Sequence, residues 1–337
     1  MITGESPGGS VFLDASTLRT LLPPSSLVPH FLSLLPSHSP AVRCPARQSF
    51  PVDPASSSSL LLMPSWSCLP SLPYIGVKIV TSFPHNSVLG LPGISASYVL
   101  FSSSTGAALA AIDGTELTLL RTSAVSALAA RFLAREDARV LVMVGAGALA
   151  PYLIRAHRSV RPSIERVIIW NRTSSKSRDL ARRMREEEEK EGGNVIFDYA
   201  EELEDVLGIG DLVSCATSSE VPIVKGVRLK PGAHLDLVGS FSPAMRECDD
   251  EALVRGTVFV DFEAAVVEAG ELVGAVDRGA ISRQDVAGTL VDLAGGVKVG
   301  RRTPEEITVF KSVGTAVVDL LAAQLAYDSY VRGKHPS

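Results

Sequence analysis

Cysteine is scarce in this chain. The four cysteines among its 337 residues, Cys44, Cys68, Cys215 and Cys248, lie far apart in the sequence, and no C-x-x-C pair occurs. This spacing argues against a zinc knuckle, a redox dithiol and a disulfide framework. A reducing compartment suits such a chain, so we expect it in the cytoplasm.

Motifs for metals and for a serine nucleophile are also lacking. None of the six histidines forms an H-x-H, H-x-x-H or H-E-x-x-H pattern, and no group of acidic residues has metal-ligand spacing. No G-x-S-x-G elbow is present. The sequence therefore predicts neither a bound metal nor a serine hydrolase.

Positive charge is not in excess, because the formal net charge is -5 and the Lys and Arg residues form no patch. We therefore expect no nucleic-acid partner and favour a small molecule. The longest apolar stretches, such as "VLVMVGAGALA" from Val140, are shorter than the roughly 18 to 20 residues that span a bilayer. The first residues lack a basic segment followed by an apolar one, so neither a membrane span nor a targeting segment is predicted.

Apolar residues make up 46% of the chain, enough for the cores of two domains. The first 75 residues are rich in Ser, Pro and Leu, and their interleaved apolar residues predict strands of a folded sheet. Segments 74–83 and 96–122 alternate β-rich runs with turn residues, which predicts an antiparallel meander. A helix is then expected to begin at Thr122 or Ser123.

From that helix onward, strands and helices alternate, which predicts a doubly wound parallel sheet. Strands are predicted at residues 139–144, 166–170, 194–198, 211–216, 233–238 and 257–261. The fold class is therefore α/β, with a Rossmann domain over 124–304. The last helix is expected to return to the first part of the chain, so that residues 1–123 and 305–337 form a second, discontinuous α+β domain; the family resemblance given below implies that this domain binds substrate and dimerises.

A G-x-G-x-x-A turn follows the first predicted strand of the Rossmann domain. Its first glycine makes the turn, its second lets a phosphate approach, and the backbone amides and helix dipole favour a pyrophosphate. Small residues at a strand–helix turn also serve tight packing alone, so this alternative stays open. The predicted cofactor-binding residues of the turn are Gly145, Ala146, Gly147, Ala148 and Leu149.

The end of the next strand, "VIIWNRT", lacks the acid that usually binds the ribose 2′-hydroxyl of NADH. Asn171, Arg172 and Thr173 stand there instead, and a guanidinium favours a 2′-phosphate. We therefore predict NADPH over NADH, with a solvent-facing Arg172 as the alternative. Thr122 and Ser240 complete the predicted cofactor-binding set.

Three cations in the first half of the chain are candidates for an anionic substrate: Arg47, Lys78 and Arg121. Lys78 interrupts an apolar strand pattern, so its ammonium either reaches water or faces a pocket. A lysine in a pocket can protonate a nitrogen or hold a carboxylate. From the residues alone, a surface or structural charge explains each cation better than a catalytic role does.

Several segments resemble the ornithine cyclodeaminase and mu-crystallin family, in which they occur in this order: "TLLRTSAVSALAARFLA", "VGAGALA", "VIIWNRT", "KPGAHLDLVGS", "VFVD" and "ITVFKSVGTAVVDLLAAQL". The resemblance covers the chain from about Val11. Four further segments are similar to the plant ketimine reductases of that family, which make pipecolate: "LLMPSW", "YIGVKIVT", "VGSFSPAMRECDDEA" and "EAGELVGA".

The resemblance implies a homodimer. It also implies that Arg47, Lys78 and Arg121 face the substrate and that the two arginines hold its carboxylate. Cyclodeaminases carry an aspartate where this chain has Phe241, and a phenyl ring has no proton to move during ammonia loss. Phe241 is therefore expected in an apolar wall of the substrate site, and cyclodeamination is disfavoured.

The expected activity is an NADPH-dependent ketimine reductase, an enzyme that reduces C=N bonds. Its substrate is a cyclic imino acid: Δ1-piperideine-2-carboxylate, which gives L-pipecolate in lysine catabolism, with Δ1-pyrroline-2-carboxylate, which gives L-proline, as a second substrate. Two alternatives remain: a non-catalytic NADPH- and ligand-binding protein of mu-crystallin type, and an ornithine or lysine cyclodeaminase. Because plant relatives are associated with plastids, the plastid is the alternative location.

Overall fold

The structure is a computed structural model, and it describes residues 10–53 and 58–334. The first part of the chain forms, in order, β1 (Val11–Leu13), α1 (Ala15–Leu21), α2 (Pro24–His38), β2 (Gln48–Asp53), β3 (Ser58–Trp66), β4 (Tyr74–Ser82), β5 (Ile94–Ser102), β6 (Ala108–Asp113) and α3 (Gly114–Leu133). The rest forms β7 (Val140–Val144), α4 (Ala150–Val160), β8 (Arg166–Trp170), α5 (Ser174–Lys190), β9 (Ile196–Ala200), α6 (Glu204–Leu207), β10 (Leu212–Cys215), β11 (His234–Leu237), α7 (Asp250–Arg255), β12 (Gly256–Val260), α8 (Ala265–Glu268), α9 (Gly270–Asp277), β13 (Val286–Thr289), α10 (Leu290–Ala294), β14 (Ile307–Lys311) and α11 (Ala316–Lys334).

The chain divides into two compact units. The terminal unit contains the chain up to Arg121 and the segment from Thr315 onward, and the central unit runs from Thr122 to Gly314. The sequence placed the second boundary after residue 304. The structure places it after Gly314, because β14 pairs with β11 and β12 in the sheet of the central unit.

The terminal unit is built on a six-stranded sheet in the order β1-β6-β5-β4-β3-β2. Strands β2 to β6 pair antiparallel, in agreement with the predicted meander, and β1 pairs parallel to β6. Helix α11 packs against β3 and β4 and also contacts α1 and α2. Residues of β4 accordingly alternate between buried side chains and half-exposed ones.

The central unit contains an eight-stranded sheet in the order β13-β12-β14-β11-β10-β7-β8-β9, and every described pair in it is parallel. Leu141 and Met143 of β7 lie in one apolar core, while Val142 and Val144 lie in another on the opposite face. Burial on both faces explains why β7 reads as a continuous apolar run. The predicted fold class, an α/β doubly wound parallel sheet with a second α+β domain, is confirmed.

The start of α3 corrects one prediction. The meander was predicted to extend to residue 122 and the helix to begin at Thr122 or Ser123, but α3 begins at Gly114. The Asp-Gly pair is the start of the helix instead of a hairpin turn, because the Asp113 carboxylate accepts the backbone N–H of Glu116 at 2.9 Å. This is the hydrogen bond of a helix N-cap.

The first 75 residues were predicted to supply strands, and they form two helices as well. The buried residues Leu27, Val28, Phe31 and Leu35 of α2 recur at helical spacing. Serines and prolines between these apolar residues, including Pro29 inside the helix, concealed the pattern in the sequence.

Two predictions fall partly on residues outside the described ones. Residues 1–9 belong to the segment examined for targeting signals, and residues 54–57 belong to the serine run read as a loop. Among residues 10–53 and 58–334, no helix is both long and apolar enough to cross a membrane. Within the same ranges, no three His, Cys, Asp or Glu side chains are grouped to hold a metal.

Gly76 of β4 leaves room for a large side chain of the neighbouring strand. A Cβ atom added at Gly76 would lie 1.8 Å from the hydroxyl oxygen of Tyr98 on β5, and the Tyr98 side chain is fully buried. The Tyr98 ring therefore lies over the space that any other residue at position 76 would fill.

We expect Gly76→Ala to lower the free energy of unfolding by at least about 1–3 kcal/mol, because the buried Tyr98 ring must shift in a packed core. Urea denaturation followed by circular dichroism measures the change. Gly93→Ala is the control, since the nearest atom to its added Cβ lies 3.5 Å away. Equal unfolding midpoints for the two variants would contradict the packing described here.

Candidate functional site

Lys78 lies in the middle of the terminal unit's sheet. It pairs with Met63 on β3 and with Tyr98 on β5, so three strands fix its backbone. Its side chain is 4% exposed and lies against α11, where its Nζ is 2.8 Å from Oδ2 of Asp319. The lysine that interrupts the apolar strand pattern therefore faces the interior of the unit.

Asp319 pairs with a second cation as well. Arg121 is on α3, seven residues after its start at Gly114. Its Nε lies 2.9 Å from Oδ1 of Asp319. The Asp319 side chain is completely buried, and that of Arg121 is 8% exposed. Each carboxylate oxygen of Asp319 thus contacts one of two cations from distant parts of the chain. We call Lys78, Arg121 and Asp319 the cation cluster.

Arg47, the third predicted cation, is exposed, yet its charge acts on Lys78 and lowers the pKa of that ammonium. Arg47 and Arg121 thus both act on the charge of Lys78. Within the cation cluster, Lys78 and Arg121 carry two positive charges when protonated, and Asp319 offsets one of them. The remaining positive charge favours an anionic ligand such as a carboxylate.

Burial and the neighbouring charges together set the pKa values of Lys78 and Asp319. Burial lowers the pKa of Lys78, Arg121 and Arg47 lower it further, and Asp319 opposes them. Burial works to raise the pKa of Asp319, but the neighbouring Lys78 and Arg121 together outweigh it and hold that pKa below its ordinary value. Asp319 is therefore a carboxylate at neutral pH, and Lys78 gives up its proton more readily than an exposed lysine does.

The sequence analysis missed Asp319 and Tyr98. The available signal for Asp319 was one acid within the apolar helical run "TAVVDLLAAQLA", a position that demands a charged partner when buried. Tyr98 is next to Lys78 across the strand pair, and burial followed by the charge of Asp319 raises its pKa. Its hydroxyl thus stays protonated beside the cation cluster.

The glycine turn lies at the carboxyl end of β7, beside the point where strand order reverses between β7 and β10. Such a switch point is where ligands bind in doubly wound sheets. Gly145 has φ 109° and its N–H donates to the carbonyl of Trp170 at 2.8 Å. A Cβ on Gly145 would lie 2.6 Å from the carbonyl oxygen of Ala216, so only glycine fits.

The space beyond the turn suits a pyrophosphate. A Cβ on Gly147 would meet no atom within 4 Å, so that side of the turn is open to a close approach. Ala148 is exposed, and Leu149 at the start of α4 makes no side-chain capping bond. The amides of Ala150 and Tyr152 bond to the backbone carbonyls of Gly147 and Leu149, and Pro151 has no N–H. The amides of the turn before α4 are therefore the candidates for a phosphate.

The segment after β8 orders the turn. The Asn171 side chain accepts the N–H of Ala146 at 3.2 Å and donates to the carbonyl of Thr173 at 3.0 Å. Arg172 and Thr173 are exposed. Asn171 thus has a structural task in the turn, while the Arg172 guanidinium is accessible to an anion.

The remaining predicted site residues lie in different environments. Thr122 is buried on α3, and Phe241 is 43% exposed. The Ser240 hydroxyl is fully buried and lies within hydrogen-bond distance of two acceptors, the carbonyl of Met245 and the carboxylate of Glu271, either of which takes its single proton. The roles of Thr122 and Ser240 toward a cofactor, and of Phe241 toward a substrate, stay predictions.

A doubly wound parallel sheet with a glycine turn at its switch point defines a Rossmann-type dinucleotide-binding protein, and the cation cluster adds buried positive charge in the terminal unit. The family model of the ornithine cyclodeaminase/mu-crystallin family matches residues 39–334. The chain belongs to this family.

Three relatives illustrate the similarity. Protein SAR DEFICIENT 4 of Arabidopsis thaliana is 54% identical over 321 residues, which cover 95% of this chain and 98% of that protein. A Delta(1)-pyrroline-2-carboxylate reductase of Colwellia psychrerythraea is 35% identical, over 83% of this chain and 87% of its own. The Thermococcus litoralis Delta(1)-pyrroline-2-carboxylate reductase, solved with NADH and L-proline, is 30% identical with a TM-score of 0.88, covering 96% of this chain and 98% of its own.

We expect Asp319→Asn to lower the free energy of unfolding by about 3–5 kcal/mol at neutral pH, because it leaves two buried cations without their carboxylate. The Asp319 contribution is present above the unfolded pKa near 3.9 and is lost as pH falls through the lower native pKa. The variant should therefore lose less stability than the wild type on acidification.

Urea denaturation between neutral pH and about pH 3 checks both expectations for Asp319. Asp205→Asn serves as the control, since Asp205 is exposed on α6. A variant at position 319 with wild-type stability and a wild-type pH profile would show that the two ion pairs do not stabilise the fold.

Proposed function

We propose that this protein is an NADPH-dependent reductase of cyclic imino acids. It reduces Δ1-piperideine-2-carboxylate to L-pipecolate and Δ1-pyrroline-2-carboxylate to L-proline. The observation that carries the proposal is the buried pairing of Lys78 and Arg121 with Asp319 in a chain that also has a dinucleotide-type glycine turn. Support comes from the Colwellia and Thermococcus relatives, whose names give Δ1-pyrroline-2-carboxylate as the substrate.

The substrate carboxylate binds Arg121 and Arg47 in this proposal. Asp319 contacts Nε of Arg121, so the terminal guanidinium nitrogens are the ones directed to a substrate carboxylate. Because Asp319 holds the arginine in place, less side-chain freedom is lost when the anion binds. Such positioning of a reactant lowers a barrier by several kcal/mol.

Lys78 is the proton donor of the reaction. A bound nicotinamide supplies a hydride, with both electrons, to the imine carbon; the nitrogen must gain a proton to become the secondary amine. Burial lowers the pKa of Lys78, so its ammonium is a stronger acid than an exposed lysine. Asp319, 2.8 Å away, fixes Nζ and stabilises its protonated form until the proton is transferred.

Homodimerisation is part of the proposal. On β4, the residues that alternate with the buried Gly76 and Lys78 are Ile75, Val77 and Ile79, which are apolar and half-exposed. An apolar sheet face left accessible in a single chain is typical of a subunit interface. This face supports a second copy of the chain as its partner.

The function is tested by following NADPH oxidation with each imine, and we expect many turnovers per enzyme molecule. Lys78→Met should lower kcat/KM by at least about 100-fold, the usual contribution of a positioned proton donor, and leave NADPH binding within twofold of the wild type. The exposed Lys190 at the end of α5 provides the control, Lys190→Met.

Two results would contradict the proposed activity. Binding of NADPH and imine without turnover by the wild type would indicate a binding protein instead. Release of ammonia from ornithine or lysine without net NADPH consumption would indicate a cyclodeaminase. Wild-type turnover by Lys78→Met would remove the lysine from the mechanism while leaving the reductase intact.

NADPH preference is proposed from Arg172, which is exposed after β8 where no acid stands. The Thermococcus relative was solved with NADH, so the test compares the two coenzymes. Arg172→Ala should raise KM for NADPH about tenfold or more, the loss of a charge-assisted bond to the 2′-phosphate, and leave KM for NADH unchanged.

Initial rates with both coenzymes measure this effect. Arg183→Ala is a matched control, because Arg183 is an exposed arginine further along α5. Equal changes for NADPH and NADH in Arg172→Ala would place the arginine elsewhere than at the 2′-phosphate.

A further inference from the structure

A second group of buried charges lies in the central unit, near the carboxyl ends of its strands. Glu247, Glu271 and Lys311 are each 0% exposed. Lys311 is the last residue of β14 and pairs with Leu237 at the end of β11. Three fully buried charged side chains are costly to bury unless their contacts organise the surrounding backbone. We call these three residues the carboxylate clamp.

Glu247 joins the loops that follow two neighbouring strands. Its Oε1 accepts the backbone N–H of Thr217 at 2.6 Å and the Thr217 hydroxyl at 2.9 Å, in the loop after β10. Its Oε2 accepts the N–H of Gly239 at 2.8 Å, in the loop after β11. One carboxylate therefore holds the backbones of both loops together.

The close approach of these two loops requires a glycine at position 239. A Cβ at Gly239 would lie 2.0 Å from the carbonyl oxygen of Thr217 and 2.4 Å from Glu247 Oε1. The loop after β10 in turn touches the glycine turn, because the Ala216 carbonyl is what excludes a Cβ at Gly145. The chain of contacts thus runs from Glu247 through Thr217 and Ala216 to the turn.

Glu271 and Lys311 hold Glu247 itself. Glu271 Oε1 accepts the backbone N–H of Glu247 at 2.8 Å, and its other oxygen contacts the Ser240 hydroxyl. Lys311 Nζ lies 3.6 Å from that second oxygen. The charge of Lys311 also acts on Glu247 and lowers the pKa of that carboxyl, although burial outweighs it and leaves the pKa above its ordinary value.

We propose that the carboxylate clamp is a positioning device that sets the loops after β10 and β11 at the cofactor site. Glu247 is its central positioning residue. The inference rests on the proposed function, because it assumes that the glycine turn beside these loops holds a nicotinamide dinucleotide. The clamp acts through the backbone of Thr217 and Gly239, which Glu247 holds.

The bond pattern explains why a carboxylate is required at position 247. All three groups that Glu247 binds are donors, and a carboxylate is an acceptor at both oxygens. An amide would place an NH2 group against either the Gly239 N–H or the Thr217 donors. Glu247→Gln therefore keeps the size of the side chain but loses the hydrogen bonds either to Thr217 or to Gly239.

The test measures the full chain in two ways. Hydrogen–deuterium exchange without ligand should be at least tenfold faster in Glu247→Gln at residues 216–219 and 238–241, with the strands unchanged. The Kd for NADPH, measured by fluorescence, should rise at least tenfold. Glu251→Gln is the matched control, since Glu251 is an exposed glutamate on α7, and it should match the wild type in both measurements.

Lys311→Met is the second variant, and it keeps the test decisive if Glu247→Gln does not fold. We expect the same two loops to exchange faster and the Kd for NADPH to rise. Lys311→Arg restores the positive charge and should recover most of the affinity, which a purely steric role of Lys311 would not explain.

Wild-type exchange and wild-type affinity in Glu247→Gln would overturn the proposal. Acceleration spread evenly over the whole sheet would overturn it too, because that pattern indicates general destabilisation. If the wild type bound neither NADPH nor NADH, the proposed function would fail, but the exchange measurement uses no ligand and would still decide whether the clamp orders the loops.

Discussion

The pairing of Asp319 with Lys78 and Arg121 is the interaction on which the terminal unit depends. A lysine in the middle of a sheet and an arginine on a buried helix face would each be strongly destabilising alone. One carboxylate on α11 pairs with both and offsets the cost of burying them. Because one negative charge faces two positive ones, the cluster keeps a positive charge, which suits the anionic ligand that we propose. Stability and ligand preference thus have the same origin, since the contacts that hold α11 on the sheet also orient the proposed substrate-binding groups.

In the central unit, buried side-chain acceptors hold backbone N–H donors, whereas in the terminal unit a buried carboxylate holds two cations. Backbone N–H groups in the glycine turn and in the loops after β10 and β11 lie outside the hydrogen-bonded strands, so they need acceptors from elsewhere to keep one conformation. Buried carboxylates supply the missing acceptors, as Glu247 does for Thr217 and Gly239, and Asn171 does the same for Ala146. In both units, polar side chains that are buried or half-buried position the groups of the proposed ligand sites.

Much of the central unit could be predicted from the sequence, because strands buried on both faces are long apolar runs and the glycine turn has a distinctive pattern. The terminal unit was harder. Helix α2 is interrupted by serine and proline, and the Asp-Gly pair before α3 is as typical of a hairpin as of a helix start. Lys78 was found because a cation in an apolar strand pattern stands out, and Arg121 because it was expected just before the helix that leads into the nucleotide domain. Asp319 was not, since its partners are about 200 and 240 residues away in the sequence and no local pattern joins them.

That separation along the chain has a consequence for biosynthesis. Lys78 and Arg121 leave the ribosome early, whereas Asp319 lies on the last helix of the described chain. Until α11 emerges, the nascent terminal unit has two cations that it cannot bury, while every strand of the central sheet has already been made. The central sheet also needs a late strand, since β14 lies between β12 and β11 and ends eight residues before Asp319. Both units are therefore completed by the last part of the described chain. Loss of α11 through a premature stop would leave the early cations permanently without their carboxylate.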